Sequence, residues 1–167
     1  MELRPELIPP ALDEALVARL ARLAARLDGA HPGLWEDDLA EFNPLAGTAI
    51  PFEEFQGIYG GMEHEDYVRR VLYYQCIKPA AGVTREELAE VVRRAMPQNE
   101  YFAQHEAYMA VFDANVPLKG ASNLIFYPRD YDPATNTWGG GRPANEYDPT
   151  PEQIVEWALS ADRATNS

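Results

Sequence analysis

A chain of 167 residues, 46% of them hydrophobic and 25% charged, is long enough for one domain with a real core or for a small domain with an extension. Its net charge of −13 argues against a nucleic-acid binder, because phosphate contacts come from Lys and Arg. No apolar run approaches the roughly 18 residues a membrane span needs, and MELRPELIPP carries charges and prolines where a signal peptide needs an apolar stretch.

Cys76 is the single cysteine, so no intrachain disulfide is possible, and a cytoplasmic protein is expected. The charge divides almost evenly, −7 in residues 1–79 and −6 in residues 80–167. Locally it does not: from Glu36 to Asp66 there are nine acids and no Lys or Arg. Such charge serves solubility, or it steers a basic protein partner.

The periodicity predicts an all-α fold. PPALDEALVARLARLAARLDG reads as a helix that starts at the prolines and ends at Gly29, with Leu12, Leu16, Leu20, Leu23 and Leu27 on one face. GLWEDDLAEFNPLAG gives a shorter helix that Pro44 is expected to end early. IPFEEFQGIYGG reads as one helical turn and a glycine stop. EHEDYVRRVLYYQC is a helix with Tyr67, Val71 and Tyr74 on its apolar face. KPAAG then marks a boundary between an N-terminal helical extension, residues 1–79, and a unit over 82–163.

In the second region, Thr84 and Glu87 predict a capping box, with Leu88, Val91 and Val92 inside and Pro97 as the stop. NEYFAQHEAYMAVFDAN is the next helix, with Asn99 as its cap. TPEQIVEWALSADRA has Thr150 at the N-cap, Pro151 at the first helical position, and Ile154, Val155, Ala158 and Leu159 inside. No strand pair is expected, and Gly139–Gly141 reads as a flexible point.

Motifs for chemistry are sparse. His31, His64 and His105 are far apart, and EHED around His64 lacks the spacing of a zinc-binding HExxH. Cys76 reads as a buried, inert thiol. There is no GxSxG and no phosphate-binding glycine loop. No catalytic residue, cofactor or metal is expected. An enzyme that uses His64 with Glu63, Glu65 or Asp66 remains a rival reading, and it requires those side chains to converge in a pocket.

Aromatic residues beside acids are the more informative feature. Tyr101, His105, Tyr108 and Phe112 follow a helical spacing, and one helix cannot bury every side of itself against a small core. In SNLIFYP, residues 122–128, Leu124 and Ile125 suffice to tie the segment down, and Pro128 pushes Tyr127 toward extended or turn geometry. Phe126 and Tyr127 are then expected to project, flanked by Asp113, Asp130 and Asp132. Aromatic anchors in an acidic surround fit a basic protein partner.

TREELAEVVRRAM, NEYFAQHEAYMAVF, SNLIFYP, a polar loop and TPEQIVEWAL follow in an order that resembles the colicin and pyocin nuclease immunity proteins. These are small bacterial four-helix proteins whose very short third helix carries an aromatic pair. The resemblance covers residues 82–163, about half the chain. It implies a four-helix unit with a short third helix, additional N-terminal helices packed on it, and tight binding of a toxin nuclease. The shared anchor falls on Asn123, Phe126, Tyr127 and Pro128, with Asp130 on the rim. Partner specificity falls on Glu100, Tyr101, Gln104, His105 and Tyr108. Three features depart from the family: Asn123 stands where an acid is usual, Phe126 where Tyr is frequent, and the loop from Arg129 to Asp148 is longer and carries Trp138 and Tyr147.

The expectation is therefore a non-catalytic immunity protein that occludes the basic surface of a cognate bacterial toxin, a nuclease, with no direct contact to nucleic acid or membrane. The alternative within the same chemistry is an acidic helical adaptor for another basic protein.

Overall fold

The computed structural model describes residues 1–31, 33–60, 62–98, 100 and 104–160. The chain is mostly helical, and its helices form two compact units. One comprises Pro10–Ile77, here the N-terminal unit; the other, the C-terminal unit, joins Met1–Pro9 to Lys78–Ser167. The division at Ile77 falls beside KPAAG, but the first nine residues belong with the later part of the chain.

In the N-terminal unit, α1 (Glu14–Leu27) packs against α2 (Glu36–Ala46) and α3 (His64–Cys76). The prolines at 9 and 10 do not start α1. Asp13 does, its carboxylate accepting from the N–H groups of Ala15 at 3.0 Å and Leu16 at 3.3 Å. Leu20, Leu23 and Leu27 are buried as the spacing predicts, with Leu12 and Leu16 partly buried against the same core.

Pro44 does not break α2. It sits in the last turn, where its missing N–H costs one bond to the carbonyl of exposed Ala40, and the helix runs on to a left-handed Gly47. Asn43 then ties down the next segment: its amide accepts from Ile50 N–H and donates to Ile50 C=O, each at 3.0 Å.

Along α3 the buried residues are Val68 and Leu72, with Tyr67 and Val71 half-buried beside them. Tyr74 is exposed, so the inward face is centred one position away from the expected stripe. Phe42, Phe55 and Tyr67 join edge to face at 4.9 and 5.9 Å and fill the centre.

In the C-terminal unit, α4 (Arg85–Ala95) lies against both α5 (His105–Ala114) and α6 (Pro151–Leu159). The capping box expected at Thr84 forms, and Thr150, expected only as an N-cap, forms a second one. Thr84 pairs with Glu87, and Thr150 pairs with Gln153, with Pro151 opening α6. Val91, Val92, Phe112 and Ile154 are fully buried. The expected cap Asn99, and Tyr101 among the expected contact residues, lie outside the described residues.

Residues 1–9 are stapled to this unit. Leu3 and Leu7 are buried, Arg4 donates to Ala81 C=O at 2.8 Å and pairs with Glu87 at 3.2 Å, and Arg94 donates to Met1 C=O at 3.0 Å. Arg94 also binds buried Glu90 at 2.9 Å, joined there by Arg93. Burial pushes the Glu90 carboxyl up, but the hydrogen bonds from Arg94 and Arg93 outweigh it and hold the group below its usual range.

Contrary to the sequence reading, the loop after SNLIFYP contains a strand pair. β1 (Thr137–Trp138) runs antiparallel to β2 (Arg142–Pro143), with Trp138 opposite Arg142. Gly139, Gly140 and Gly141 form the turn between them at φ +56°, +80° and +117°, a run of backbone that only glycine adopts without strain. The triple glycine is thus a hairpin tip.

Thr150→Ala removes the side chain that accepts Gln153 N–H at 3.2 Å and so opens the capping box of α6. The expected loss is about 1 kcal/mol of stability, read as a lower urea midpoint at unchanged slope. An unchanged midpoint would mean that packing alone fixes this helix end.

Candidate protein-interaction surface

SNLIFYP is a short tight turn wedged among helices. Gly120, left-handed at φ +69°, brings the chain into a 3-10 helix over Ala121–Ile125 that contacts α4, α5 and α6. Asp113 near the end of α5 fixes its start, its two carboxylate oxygens accepting from the Ser122 N–H and hydroxyl at 2.7 Å each. Ala121, Ser122, Leu124 and Ile125 are buried. Asn123 C=O closes the turn, accepting from the N–H groups of Phe126 at 3.1 Å and Tyr127 at 2.9 Å.

Phe126 and Tyr127 follow with 39% and 52% of their surface exposed. Tyr131 lies against Tyr127, ring centres 4.9 Å apart, and broadens the apolar face. Pro128 is half-buried, while Asn123 and Asp130 are exposed. The four anchor residues and the rim acid Asp130 thus occupy one continuous stretch of chain.

The long loop does not cover the pair. Trp138 meets Tyr147 edge to face at 5.4 Å, and Tyr147 lies nearly parallel to Trp157 of α6 at 6.5 Å. The Tyr147 hydroxyl donates to Leu124 C=O, which ties this aromatic row to the turn. The Trp138 indole N–H donates to Pro143 C=O at 3.2 Å. Leu124, Pro128, Trp138, Tyr147 and Trp157 line a hollow of about 220 Å³ with Arg129 and Asp130 on it. Trp157 and Tyr131 were not singled out by the sequence reading. The signal in the sequence was a large aromatic at 157, displaced from the buried positions Ile154, Val155 and Ala158 of α6.

The flanking acids serve structure as well as charge. Asp113 is committed to Ser122. Asp132 accepts from Ala134 N–H at 2.9 Å and from the Thr135 hydroxyl at 3.0 Å. Asp130 Oδ2 accepts from Gly139 N–H at 2.7 Å. Asp132 closes a local turn, while Asp113 and Asp130 each reach a backbone N–H nine residues on.

The residues expected on α5 divide differently. Tyr108 is not offered to a partner: it is 2% exposed, its hydroxyl accepts from Arg94 at 3.1 Å, and the guanidinium lies over its ring. Glu100 and Gln104 are exposed, and His105 is half-buried with Nε2 3.4 Å from Glu106. Asp113 pins the 3-10 turn to the end of α5, and His105 lies eight residues earlier in that helix, about 12 Å along its axis at ~1.5 Å per residue. The two groups of expected contacts therefore attach to opposite ends of α5.

His64 has a different partner from the ones expected. Its Nε2 is 3.0 Å from Asp28 Oδ2 at the end of α1, and the same carboxylate accepts from the N–H groups of Gly57 at 2.9 Å and Tyr59 at 3.0 Å. Burial pushes Asp28 up, but the bonds from Tyr59, His64 and Gly57 hold it below its usual range. A cleft of about 490 Å³ beside α1 is lined by Glu63, His64, Glu65 and Asp66. No Ser, Thr or Cys among the described residues lines it. Among the described residues no three His, Cys, Asp or Glu groups assemble as a metal site. Asp28 and His64 here form a joint between α1 and the start of α3. Cys76, expected to be buried, is exposed at the end of α3.

No family model, curated protein or solved structure matches this chain.

Burial pushes the Tyr147 phenol from its ordinary value of 10 up to about 12. The folded state thus holds this proton more tightly than the unfolded state. The stabilisation is complete below pH 10 and lost as the pH rises toward 12. Tyr147→Phe has no proton to lose there, so its alkaline loss of stability should be shallower than that of the parent, measured by urea unfolding from pH 9 to 12. Parallel profiles would place the Tyr147 hydroxyl in water.

Proposed function

We propose that this chain is a non-catalytic immunity protein that neutralises a basic bacterial toxin, a nuclease, by binding it through SNLIFYP. The observation that carries the reading is the exposure of Phe126 and Tyr127 on a turn whose Leu124 and Ile125 are buried and whose backbone is clamped by Asp113 and Tyr147. A rigid pair of exposed rings loses little conformational freedom on binding, which is what an interface anchor requires.

Charge supports the class of partner. The net charge of −13 draws a basic protein toward the anchor and repels a phosphate backbone. A nuclease carries Lys and Arg for phosphate, so an acidic surface placed over them competes with the substrate. The order of elements in the C-terminal unit, α4, α5, the short turn and α6, is the order the family resemblance implies. Specificity in this reading comes from what borders the anchor: Asn123, Asp130, Tyr131 and the aromatic row behind them. Glu100, Gln104 and His105 contact the toxin only if it also spans the far end of α5.

The test is co-expression with the product of the adjacent gene, read as growth and as co-purification. Rescue of growth with a stable complex is expected. In that complex Tyr127→Ala should weaken binding by about 2 kcal/mol or more, roughly thirtyfold, while the helical circular dichroism stays unchanged. His64→Ala should leave protection intact. Protection that survives Tyr127→Ala but disappears with His64→Ala in a folded protein would overturn the reading in favour of chemistry at His64.

A further inference from the structure

We propose that the hollow behind Phe126 and Tyr127 is a cation cage that receives one lysine or arginine side chain of the partner. Its occupant rests on the reading above, a basic partner, but the cage is testable without it.

Size comes first. About 220 Å³ is below the range of about 300–1,000 Å³ that holds a small-molecule ligand, so the hollow fits one side chain. The walls come next. Trp138, Tyr147 and Trp157 present three rings. The Trp138 N–H and the Tyr147 hydroxyl are already spent on Pro143 C=O and Leu124 C=O, so an occupant meets the rings without orphaning these groups. Ring faces are negative and attract a cation. The row already does so within the chain, since the Arg142 guanidinium lies 5.1 Å above the Trp138 ring.

Charge then selects the occupant. Gly139 N–H holds Asp130 Oδ2 at 2.7 Å, which steadies the carboxylate on the hollow. Its Oδ1 makes no hydrogen bond with the described residues and is available to an incoming ammonium or guanidinium. Residues 80–167 carry −6 overall, which draws cations toward this region at long range. Arg129 also lines it, is exposed, and makes no ion pair with the described residues. It opposes a cation and thereby supplies an internal control: its removal should strengthen the cage. Pro128 lines the hollow and directly follows the exposed ring pair in the chain, so one partner segment can cover the rings and reach the hollow.

The experiment is an NMR titration of the intact chain, following the indole N–H signals of Trp138 and Trp157. The probes are the acetylated amide of lysine, its neutral counterpart norleucine and its acidic counterpart 2-aminoadipate. Lysine should shift both signals and bind about threefold or more tighter than norleucine. Asp130→Asn, whose amide oxygen can still accept Gly139 N–H, should remove that preference. Arg129→Gln should tighten lysine binding. Equal binding of norleucine, a preference for 2-aminoadipate, or no shift with lysine would each overturn the cage. Lysine binding with neither growth rescue nor a complex on co-expression would keep the cage and sink the immunity reading. The reverse pair of results would do the opposite.

Discussion

Four large apolar side chains in succession cannot all face one core from a tight helical turn. In a 3-10 helix neighbouring residues diverge by about 120°, so a run such as Leu124–Tyr127 must split between inside and outside. The turn over Ala121–Ile125 sends Leu124 and Ile125 inward among α4, α5 and α6. Phe126 and Tyr127, at the point where the turn ends, are left outside. Everything else in the C-terminal unit that bears on function is arranged around that split.

Such a turn has few hydrogen bonds of its own, so its neighbours supply them. Asp113 takes the N–H and hydroxyl of Ser122, and Tyr147 reaches across to Leu124 C=O. The long loop is thereby part of the support. Its hairpin, its acid-closed turns and the row Trp138–Tyr147–Trp157 form a backing on which the exposed rings are held. The acids that close turns keep their charge while doing so. In the proposed reading their long-range field attracts a basic protein, and the aromatic surface decides which one.

The N-terminal unit obeys the same physics with a different result. Asp28 gathers His64 and the N–H groups of Gly57 and Tyr59, joining the end of α1 to the start of α3. A His–Asp pair in a cleft invites a catalytic reading. Here the carboxylate is engaged on both oxygens and ties two helix ends together. The acids that open α2 face its positive end, where Glu36 and Asp37 lie exposed and Asp38 turns inward to Arg26.

The sequence by itself determined what depends on neighbours along the chain. The all-α class, the leucine face of α1, the Thr84 capping box, the Thr150 cap and the outward rings of SNLIFYP were legible, because helical period and caps are set within a few residues. What reached across the chain was not. Residues 1–9 joined the C-terminal unit through Leu3, Leu7 and Arg4, and nothing local distinguishes them from a loose terminus. Tyr108 turned inward because Arg94, one helix away, offered its hydroxyl a buried partner. The β1–β2 hairpin formed from two-residue strands too short to leave a period, and Trp157 joined Trp138 and Tyr147 only through packing. A residue's face on its helix follows from the sequence around it; which neighbour that face meets is decided by the tertiary structure.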